Sequence, residues 1–302
     1  MRASLLLAAC LGLATAPTGR AIVIYGGTGS ENTTDPGGGL PWAHVGSLNG
    51  ATGVYLGLYG GVPWALTAAH VGAGTLQLES GSFAAAGSAI VIRNPDSSAT
   101  DLAAFPLSTT PLLPNLSLAG TTPSANSTVL LIGNGRRETG GVLYWNVAAD
   151  PSGPDIWNAL PNATGANIAG YALGAAGKRW GEAFYKETTA YTIGGATQTG
   201  VSTWLLGIAG SSQAAGGDSG GAIFFHNGTS WGLLGIISAV GTLENQPTDT
   251  AVTLNQTLGV SLPVYQSTLL AAIPEPGHYA LGAGALSLLA VLWHRHRSQG
   301  RR

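Results

Sequence analysis

The chain has 302 residues, 45% of them hydrophobic and only 9% charged, and this length accommodates one large domain or two small ones. Its 47 glycines are scattered, which excludes a collagen-like repeat and favours short strands joined by tight turns. Between the two terminal segments described below, only six basic groups accompany 13 acidic ones, so no basic stripe is available for a nucleic-acid partner.

Residues 1–21 predict a secretory signal peptide. An apolar run, Leu5–Ala16, follows the basic Arg2, and Gly19–Ala21 supplies a small-x-small pattern for cleavage after Ala21. A buried N-terminal helix is one alternative, and a lipoprotein box ending at Cys10 is another. Because Cys10 is the only cysteine, the exported part of the chain has no disulfide and no thiolate for a metal ion.

Short apolar runs separated by glycine, proline and asparagine predict an all-β chain. Eight runs are predicted to be strands: 54–59, 64–67, 89–93, 102–105, 129–133, 204–208, 221–225 and 231–237. A Gly-rich loop is expected over 26–39, and the Pro- and Thr-rich segment 109–123 is expected to connect two halves. Asn227–Gly228 predicts a hairpin turn, whereas 255–273 fits either a short helix or an extended tail.

The C-terminal residues 274–302 form a tripartite tail. Pro274–Pro276 precedes an apolar run, Tyr279–Trp293, and arginines follow it. The run is short for a spanning helix, and its basic flank favours a cytoplasmic end. The tail resembles the PEP-CTERM sorting signal of Gram-negative bacteria, which implies transient membrane anchoring and processing by an exosortase-type membrane transpeptidase. A plain membrane anchor is the alternative, and either reading predicts a secreted or cell-surface protein.

The segment Gly216–Ala222 has the composition of a nucleophile turn. Ser219 requires a base to remove its proton and backbone N–H groups to bind a developing oxyanion. The flanking glycines let the backbone turn tightly and approach a substrate carbonyl, and an apolar strand follows. An ordinary Gly-rich turn with a polar tip is the structural alternative in so Gly-rich a chain.

Two further residues supply the groups that an activated serine needs. His70 follows an apolar strand and two alanines, a position from which an imidazole can act as general base. Asp101 begins an apolar strand, where a buried carboxylate can hold one histidine tautomer and stabilise the imidazolium. A structural histidine and a turn aspartate are the alternatives.

The blocks Thr67–His70, Asp101–Ala103 and Gly217–Gly221 resemble the three signature motifs of chymotrypsin/trypsin-like serine proteases, in that family's order. The resemblance runs from about 22 to 265. It implies two antiparallel six-stranded β-barrels with a catalytic cleft between them. It also implies that Ser219 is the nucleophile, His70 the general base and Asp101 the residue that orients it, with the N–H groups of Gly217 and Ser219 as the oxyanion hole.

The same resemblance implies a substrate-binding strand and a primary pocket. Ser238, Ala239 and Val240 match the family strand that pairs with extended substrate, and Gln213 stands at the base of the pocket. An uncharged Gln213 and a bulky Val240 imply cleavage after small or neutral residues. Cleavage after Ala21 would expose an Ile-Val start similar to that of activated relatives, whose ammonium pairs with the position of Asp218.

These observations predict a secreted serine endopeptidase with residues 22–273 as its protease domain, a peptide or protein substrate, and neither cofactor nor metal. The main alternative is a catalytically inactive surface protein that uses a protease fold for binding. A structural extracellular β-protein is a third class, although it gives no reason for the serine, histidine and aspartate motifs to occur together.

Overall fold

A computed structural model describes residues 22–273. The predicted signal peptide (1–21) and sorting tail (274–302) lie outside these residues. The regular secondary structure of the described part is almost entirely strand, with a 3-10 helix at Trp42–His44 and a single α-helix, α1, at Leu262–Ala272. No helix in this part of the chain is long and apolar enough to cross a membrane.

The strands of the first half are β1 (Val23–Ile24), β2 (Val45–Leu48), β3 (Ala51–Tyr59), β4 (Val62–Ala68), β5 (Leu76–Leu78), β6 (Gly81–Phe83), β7 (Ile90–Arg93) and β8 (Ala99–Pro106). Those of the second half are β9 (Thr128–Gly133), β10 (Arg136–Ala148), β11 (Ile156–Leu160), β12 (Ile168–Ala176), β13 (Arg179–Ile193), β14 (Ala196–Trp204), β15 (Ser212–Gln213), β16 (Ala222–His226), β17 (Trp231–Gly241), β18 (Thr250–Val252) and β19 (Gln256–Ser261).

The first half forms one antiparallel sheet in the order β6-β5-β2-β3-β4-β8-β7. Strands β6 and β7 are the two ends of one bent segment, because the residues between them also bond to the end of β8. Ala86 N donates to Pro106 O at 2.8 Å, and an isolated bridge joins Ala85 to Leu107. Six chain segments therefore close on themselves, which removes exposed sheet edges.

The second half contains a closed barrel in the order β13-β14-β19-β17-β16-β9. The predicted hairpin is confirmed, with β16 and β17 paired up to His226 and Trp231. All strands of both halves pair antiparallel, and the all-β prediction is confirmed. The predicted strand at 204–208 is wrong: β14 ends at Trp204, and Leu205 N turns away to bond Asn255 O.

Three strands between β9 and β13, together with β18 from later in the chain, form an additional sheet in the order β11-β10-β12-β18, which the sequence did not predict. Strand β10 is interrupted by glycines at Gly140–Gly141, and its register with β12 shifts between Thr139 and Leu143. This irregularity hides the alternation of apolar and polar residues on which strand prediction depends.

The C-terminal segment 255–273 contains both of the structures that its sequence allowed. β19 completes the barrel, and α1 begins directly after it, with a proline in its first turn. Leu262, Tyr265 and Leu269 of the helix join a buried cluster with Leu66 of the first half and Leu130 of the second. One apolar core is thus shared by both barrels, and this fixes their relative position.

Candidate active site

His70 and Asp101 are brought together by the pairing of β4 with β8. Ala68 pairs with Leu102, so the chain leaves β4 beside the start of β8. His70 Nδ1 lies 2.8 Å from Asp101 Oδ2 and 3.0 Å from Oδ1, and the backbone N–H of His70 donates to Oδ1 at 3.0 Å. Since Nδ1–H donates to the carboxylate, the lone pair of Nε2 is available to accept a proton.

The carboxylate is buried while the imidazole reaches solvent. Asp101 is 4% exposed, whereas the His70 side chain is 37% exposed. Ser238 on β17 donates from Oγ to Asp101 Oδ2 at 2.5 Å, so the second barrel also holds this carboxylate. A buried carboxylate with hydrogen bonds from two barrels is well placed to orient an imidazole at the cleft.

Two residues that the sequence analysis did not single out lie around Asp101. Gln198 on β14 accepts a hydrogen bond from Asp101 N at 3.1 Å. The hydroxyl of Tyr191, on β13, is close to Ser238 and Gln198 but has no hydrogen bond of good geometry, and its burial raises its pKa. No local motif marks either residue, because their proximity to Asp101 depends on how a distant hairpin packs.

The turn that carries Ser219 is clamped between the two barrels. Gly220 N donates to Ile237 O at 2.7 Å, and Thr52 N, on β3, donates to Ser219 O at 2.9 Å. Gly220 has φ +84°, and a Cβ there would lie 2.0 Å from Thr52 O and 2.2 Å from Thr67 Oγ1. The tight approach to β3 and β4 therefore requires glycine at this position.

Ser219 is connected to the strand that carries His70 through Thr52, and it is not hydrogen-bonded to the imidazole. Thr52 links the two regions, since its N–H binds Ser219 O and its carbonyl accepts Thr67 Oγ1 at 2.9 Å, three residues before His70. No hydrogen bond joins Ser219 Oγ to the imidazole within residues 22–273. Such contacts are often long in the free form of an enzyme and tighten with substrate.

Among the described residues, several backbone N–H groups of the turn donate no hydrogen bond, those of Gly217 and Ser219 included. Asp218 N donates to Ala215 O at 3.1 Å and Gly221 N to Asp218 O at 2.8 Å, whereas the N–H groups of Gly217 and Ser219 donate no hydrogen bond to any described residue. These are the two donors that the sequence analysis assigned to an oxyanion hole. Their availability is what binding of a developing negative charge requires.

Asp218 points away from the cleft into the protein. It is fully buried, and this burial raises the pKa of its carboxyl group to about 7. Its oxygens accept hydrogen bonds from Gly135 N at 2.7 Å and Ala215 N at 2.8 Å, and Ile22 N lies 3.4 Å from Oδ2. The start of the described chain is thus adjacent to the residue that precedes the candidate nucleophile.

A second, unpredicted acid-base pair holds this N-terminal segment. Glu138 on β10 and Arg179 on β13 are both buried and form a bidentate ion pair of 3.0 and 3.1 Å. Glu138 also accepts Ile24 N at 3.0 Å, and Arg179 donates to Ile22 O at 2.8 Å. The charges of Glu138 and Arg179 are therefore paired with each other, and both side chains also form hydrogen bonds with the backbone of the N-terminal segment.

The predicted substrate-binding strand has a free edge. β16 pairs with β17 only as far as Ile236, while β19 pairs with the opposite edge up to Gly241. Residues 238–241 consequently have no strand partner on one side within the described chain. Ser238 is buried, whereas Ala239 and Val240 are partly exposed. This edge can accept an extended peptide by main-chain hydrogen bonding.

Gln213 lies in β15, where it pairs with Val23 of β1. It is buried, and its Nε2 is 3.4 Å from Asn255 Oδ1, while its Oε1 has no partner among the described residues. Val240 packs against the buried cluster that contains Ile22 and Ala214. Of the two residues predicted to shape the primary pocket, Gln213 is thus a buried, uncharged amide, and Val240 packs against an apolar cluster.

The described residues contain no cluster of three or more His, Cys, Asp or Glu side chains that could hold a metal ion. The candidate site contains a hydroxyl, an imidazole, a carboxylate and backbone N–H groups. This set is sufficient for acyl transfer to a serine followed by hydrolysis.

No protein-family model and no curated protein matches the sequence. Solved structures with similar folds include the active form of the Rv3671c protease from M. tuberculosis, which is 16% identical with a TM-score of 0.46, over 89% of this chain and 95% of that chain. The HtrA-type protease AlgW with a decapeptide is 19% identical with a TM-score of 0.40, over 72% and 51%. The NS6 protease from murine norovirus 1 is 14% identical with a TM-score of 0.37, over 76% and 93%.

Proposed function

We propose that the protein is a serine endopeptidase that hydrolyses peptide bonds through an acyl-enzyme. The observation that carries this proposal is the pairing of the exposed His70 imidazole with the buried Asp101 through Nδ1, at 2.8 Å. The Ser219 turn is anchored on Thr52, which also accepts a hydrogen bond from Thr67, three residues before His70, and the N–H groups of Gly217 and Ser219 donate no hydrogen bond within the described residues. A Gly-rich turn of purely structural function would not need an oriented imidazole beside it.

In the proposed reaction, Ser219 Oγ attacks the peptide carbonyl while His70 Nε2 takes the hydroxyl proton. The Gly217 and Ser219 N–H groups bind the oxyanion, and Asp101 stabilises the imidazolium. The C–N bond then breaks as the imidazolium returns the proton to the leaving amine. Water, deprotonated by His70, cleaves the resulting ester and regenerates the Ser219 hydroxyl.

The proposed specificity is for small or neutral residues before the cleaved bond. Gln213 provides no carboxylate for lysine or arginine, and Val240 occupies space beside the pocket. Gln213 Oε1 has no partner among the described residues, so it is available to accept a hydrogen bond from a substrate, but it has no formal charge. Dominant cleavage of a peptide library after Lys or Arg would contradict this specificity.

A fluorophosphonate probe tests the proposed nucleophile directly. The wild-type protein is expected to be labelled at Ser219, and Ser219→Ala and His70→Ala are expected to lose the label. Ser230→Ala, which changes an exposed serine in the β16–β17 turn, is the matched control and should label normally. The second candidate is an inactive surface protein that uses this fold for binding, and an unlabelled wild type with intact fold would support it.

We also propose that the protein is exported, with cleavage after Ala21 and a tail at 274–302 that anchors the chain until it is processed. The motifs of the two terminal segments support this proposal. Cleavage after Ala21 would convert the Ile22 amide, 3.4 Å from Asp218, into an ammonium beside a buried carboxyl group. Removal of the signal peptide would then stabilise the nucleophile turn and activate the enzyme.

A further inference from the structure

The hairpin of β13 and β14 contacts Asp101 through one directly opposed pair of residues. Tyr191 on β13 is the register partner of Gln198 on β14, so the two side chains share one face of the hairpin. Both residues are buried, with exposed fractions of 8% and 1%. The next pair, Thr192 and Thr197, is exposed, and its two hydroxyl groups are hydrogen-bonded to each other. Tyr191 and Gln198 are thus the inward-facing pair at this end of the hairpin.

Hydrogen bonds on both sides of Gln198 hold the hairpin against the first barrel and α1. Asn94, which follows β7, donates from Nδ2 to Thr197 O at 2.7 Å. Tyr265 of α1 accepts a hydrogen bond from Thr199 N at 2.9 Å and donates to Asn94 Oδ1 at 2.6 Å. Because both backbone neighbours of Gln198 are bonded in this way, the position of its side chain beside β8 is fixed.

The opposed pair lies beside the groups that hold the Asp101 carboxylate. Gln198 Oε1 accepts a hydrogen bond from Asp101 N at 3.1 Å, and Ser238 Oγ donates to Asp101 Oδ2 at 2.5 Å. The Tyr191 hydroxyl lies next to both Ser238 and Gln198. The aspartate that bonds His70 is therefore contacted by the hairpin at its backbone and by Ser238 at its side chain.

Two buried donors beside Asp101 are unused. The Tyr191 hydroxyl and Gln198 Nε2 have no hydrogen-bond partner among residues 22–273. A buried polar group without a partner lowers stability, so the fold alone gives no reason for tyrosine at a position where phenylalanine fills the same space. Burial raises the pKa of Tyr191, which keeps its hydroxyl protonated and able to donate. The O–H of Ser238 is committed to Asp101, but its oxygen lone pairs can accept from such a donor.

We infer that Tyr191 is a positioning residue of the candidate active site, which acts on His70 through Ser238 and Asp101 without contacting the reacting atoms. The inference rests on the proposed endopeptidase function. When Gln198 Nε2 donates to the tyrosine oxygen and the tyrosine O–H donates to Ser238 Oγ, all of these donors are used.

Such a chain polarises the Ser238 O–H toward Asp101, because each hydrogen bond strengthens the next. The carboxylate is then held in the orientation from which it stabilises the imidazolium during proton transfer from Ser219. The bonds of Tyr191 are poorly aligned in the free form and are expected to tighten with substrate, as is the contact between Ser219 and His70.

Tyr191→Phe in the full chain tests the inference, because this change removes only the hydroxyl. For a peptide that the wild type cleaves, kcat is expected to fall about tenfold while KM changes by less than about twofold. The rate of fluorophosphonate labelling of Ser219 is expected to fall by a similar factor. The free energy of unfolding should stay the same or rise, because a buried hydroxyl without a partner is removed. A tyrosine with a purely structural role would not lose activity while keeping stability.

Tyr55→Phe is the matched control. Tyr55 in the first barrel is also buried, and its hydroxyl also has no partner within the described residues. It packs in the apolar cluster that contains Leu48, Leu76 and Phe105, and this cluster does not include Asp101. The control variant should change stability in the same direction as Tyr191→Phe and keep the kcat and the labelling rate of the wild type.

A double-variant cycle tests whether Tyr191 acts through Ser238. Ser238→Ala removes the hydroxyl that would pass the effect to Asp101. In this background Tyr191→Phe is expected to change the labelling rate by less than about twofold, although it lowers that rate about tenfold in the wild type.

The possible failures are distinguishable. A Tyr191→Phe variant with the kcat and labelling rate of the wild type would overturn the inference and leave the proposed function intact. So would a tenfold loss that persists in the Ser238→Ala background, or a loss of activity accompanied by a loss of stability. A folded wild type that neither cleaves peptides nor takes the label would overturn the proposed function and, with it, the assignment of Tyr191.

Discussion

At the scale of single residues, Gly220 determines how closely the nucleophile turn approaches the first barrel. Its φ of +84° suits glycine, and the space for a Cβ is already occupied by Thr52 O at 2.0 Å. Because that neighbour is a backbone atom of a buried strand, it cannot move aside as the end of a flexible side chain would.

Gly220→Ala should therefore displace the Ser219 turn, destabilise the protein and abolish turnover. Gly228→Ala is the matched control: Gly228 has φ +93° in an exposed turn, and nothing lies within 4 Å of its Cβ position. The control should lose only the roughly 1–2 kcal/mol associated with a left-handed residue and keep its activity. Urea denaturation and peptide hydrolysis of both variants measure the difference, and equal effects would contradict the steric argument.

The sequence singles out candidate residues that have a local signature, but it does not single out those whose role depends on packing. Ser219 lies in a Gly-rich turn and His70 at a strand end, so each has a recognisable context. Gln198 and Thr52 are ordinary polar residues of strands, and their contacts with Asp101 and the nucleophile turn arise only from the arrangement of distant elements. No spacing along the chain encodes such contacts.

At the scale of elements, the N-terminal segment is tied to the second barrel by buried charges. Arg179, at the first position of β13, binds Glu138 of β10 and the carbonyl oxygens of Ile22 and Glu31. Three separate stretches of chain thus converge on one guanidinium. The bidentate geometry makes arginine difficult to replace, even by lysine.

Arg179→Met should destabilise the protein by about 3–5 kcal/mol, because it leaves the Glu138 carboxylate buried without its counter-charge. Adding Glu138→Gln is expected to recover part of the loss, since the amide oxygen still accepts an N–H group of the N-terminal segment. Arg93→Met, which affects an exposed arginine bonded to Ser97 O, is the control and should change stability little. The free energies of unfolding of the three variants test this prediction. A double variant less stable than Arg179→Met would contradict it.

Strands with regular apolar runs were predicted well, and those with interruptions were not. β3, β4 and β17 correspond to continuous apolar runs and were found within a few residues. β10 is interrupted by Gly140–Gly141 and has a largely exposed surface, so it lacks the signal of a half-buried strand. The additional sheet to which it belongs was missed for that reason.

At the scale of the whole molecule, the start of the chain, the additional sheet and the nucleophile turn meet at Asp218. With Ile22 N as an amide, burial holds the Asp218 pKa near 7 rather than its usual 3.8. Between about pH 4 and 7, the carboxyl group of Asp218 is therefore protonated in the folded protein but ionised in the unfolded chain. Stability is greatest below this range and falls as the pH rises through about 7.

The form that is uncut after Ala21 should accordingly lose stability from pH 4 to 7, at up to about 1.4 kcal/mol per pH unit. Cleavage after Ala21 should remove this decline, because the new ammonium favours the ionised carboxylate. Free energies of unfolding measured across this pH range for both forms test the prediction, with Asp218→Asn as the control that lacks the titrating group. If the free energy of unfolding depended on pH in the same way for the cut and uncut wild-type forms, the prediction would be wrong. Full peptidase activity of the uncut form would contradict the proposed activation by cleavage after Ala21.

Composition and apolar runs were enough to predict an all-β molecule in two halves, since these properties do not depend on tertiary contacts. Of the bent segment that closes the first barrel, only 89–93 was predicted to be a strand, because the paired middle around Ala85 consists of small residues and lacks the β-branched and aromatic residues typical of strands. Closure of a barrel depends on register and curvature, which a single sequence does not display.

The hydrogen bonds of Thr52 make the second barrel depend on the first. Its Oγ1 donates to Gly217 O and accepts from Asn134 N, each at 2.9 Å, in addition to its bonds with Ser219 and Thr67. One threonine of the N-terminal half thereby supports the backbone on both sides of Asp218. A C-terminal half produced by itself would still contain the serine, yet it would lack the scaffold that shapes the loop around that serine.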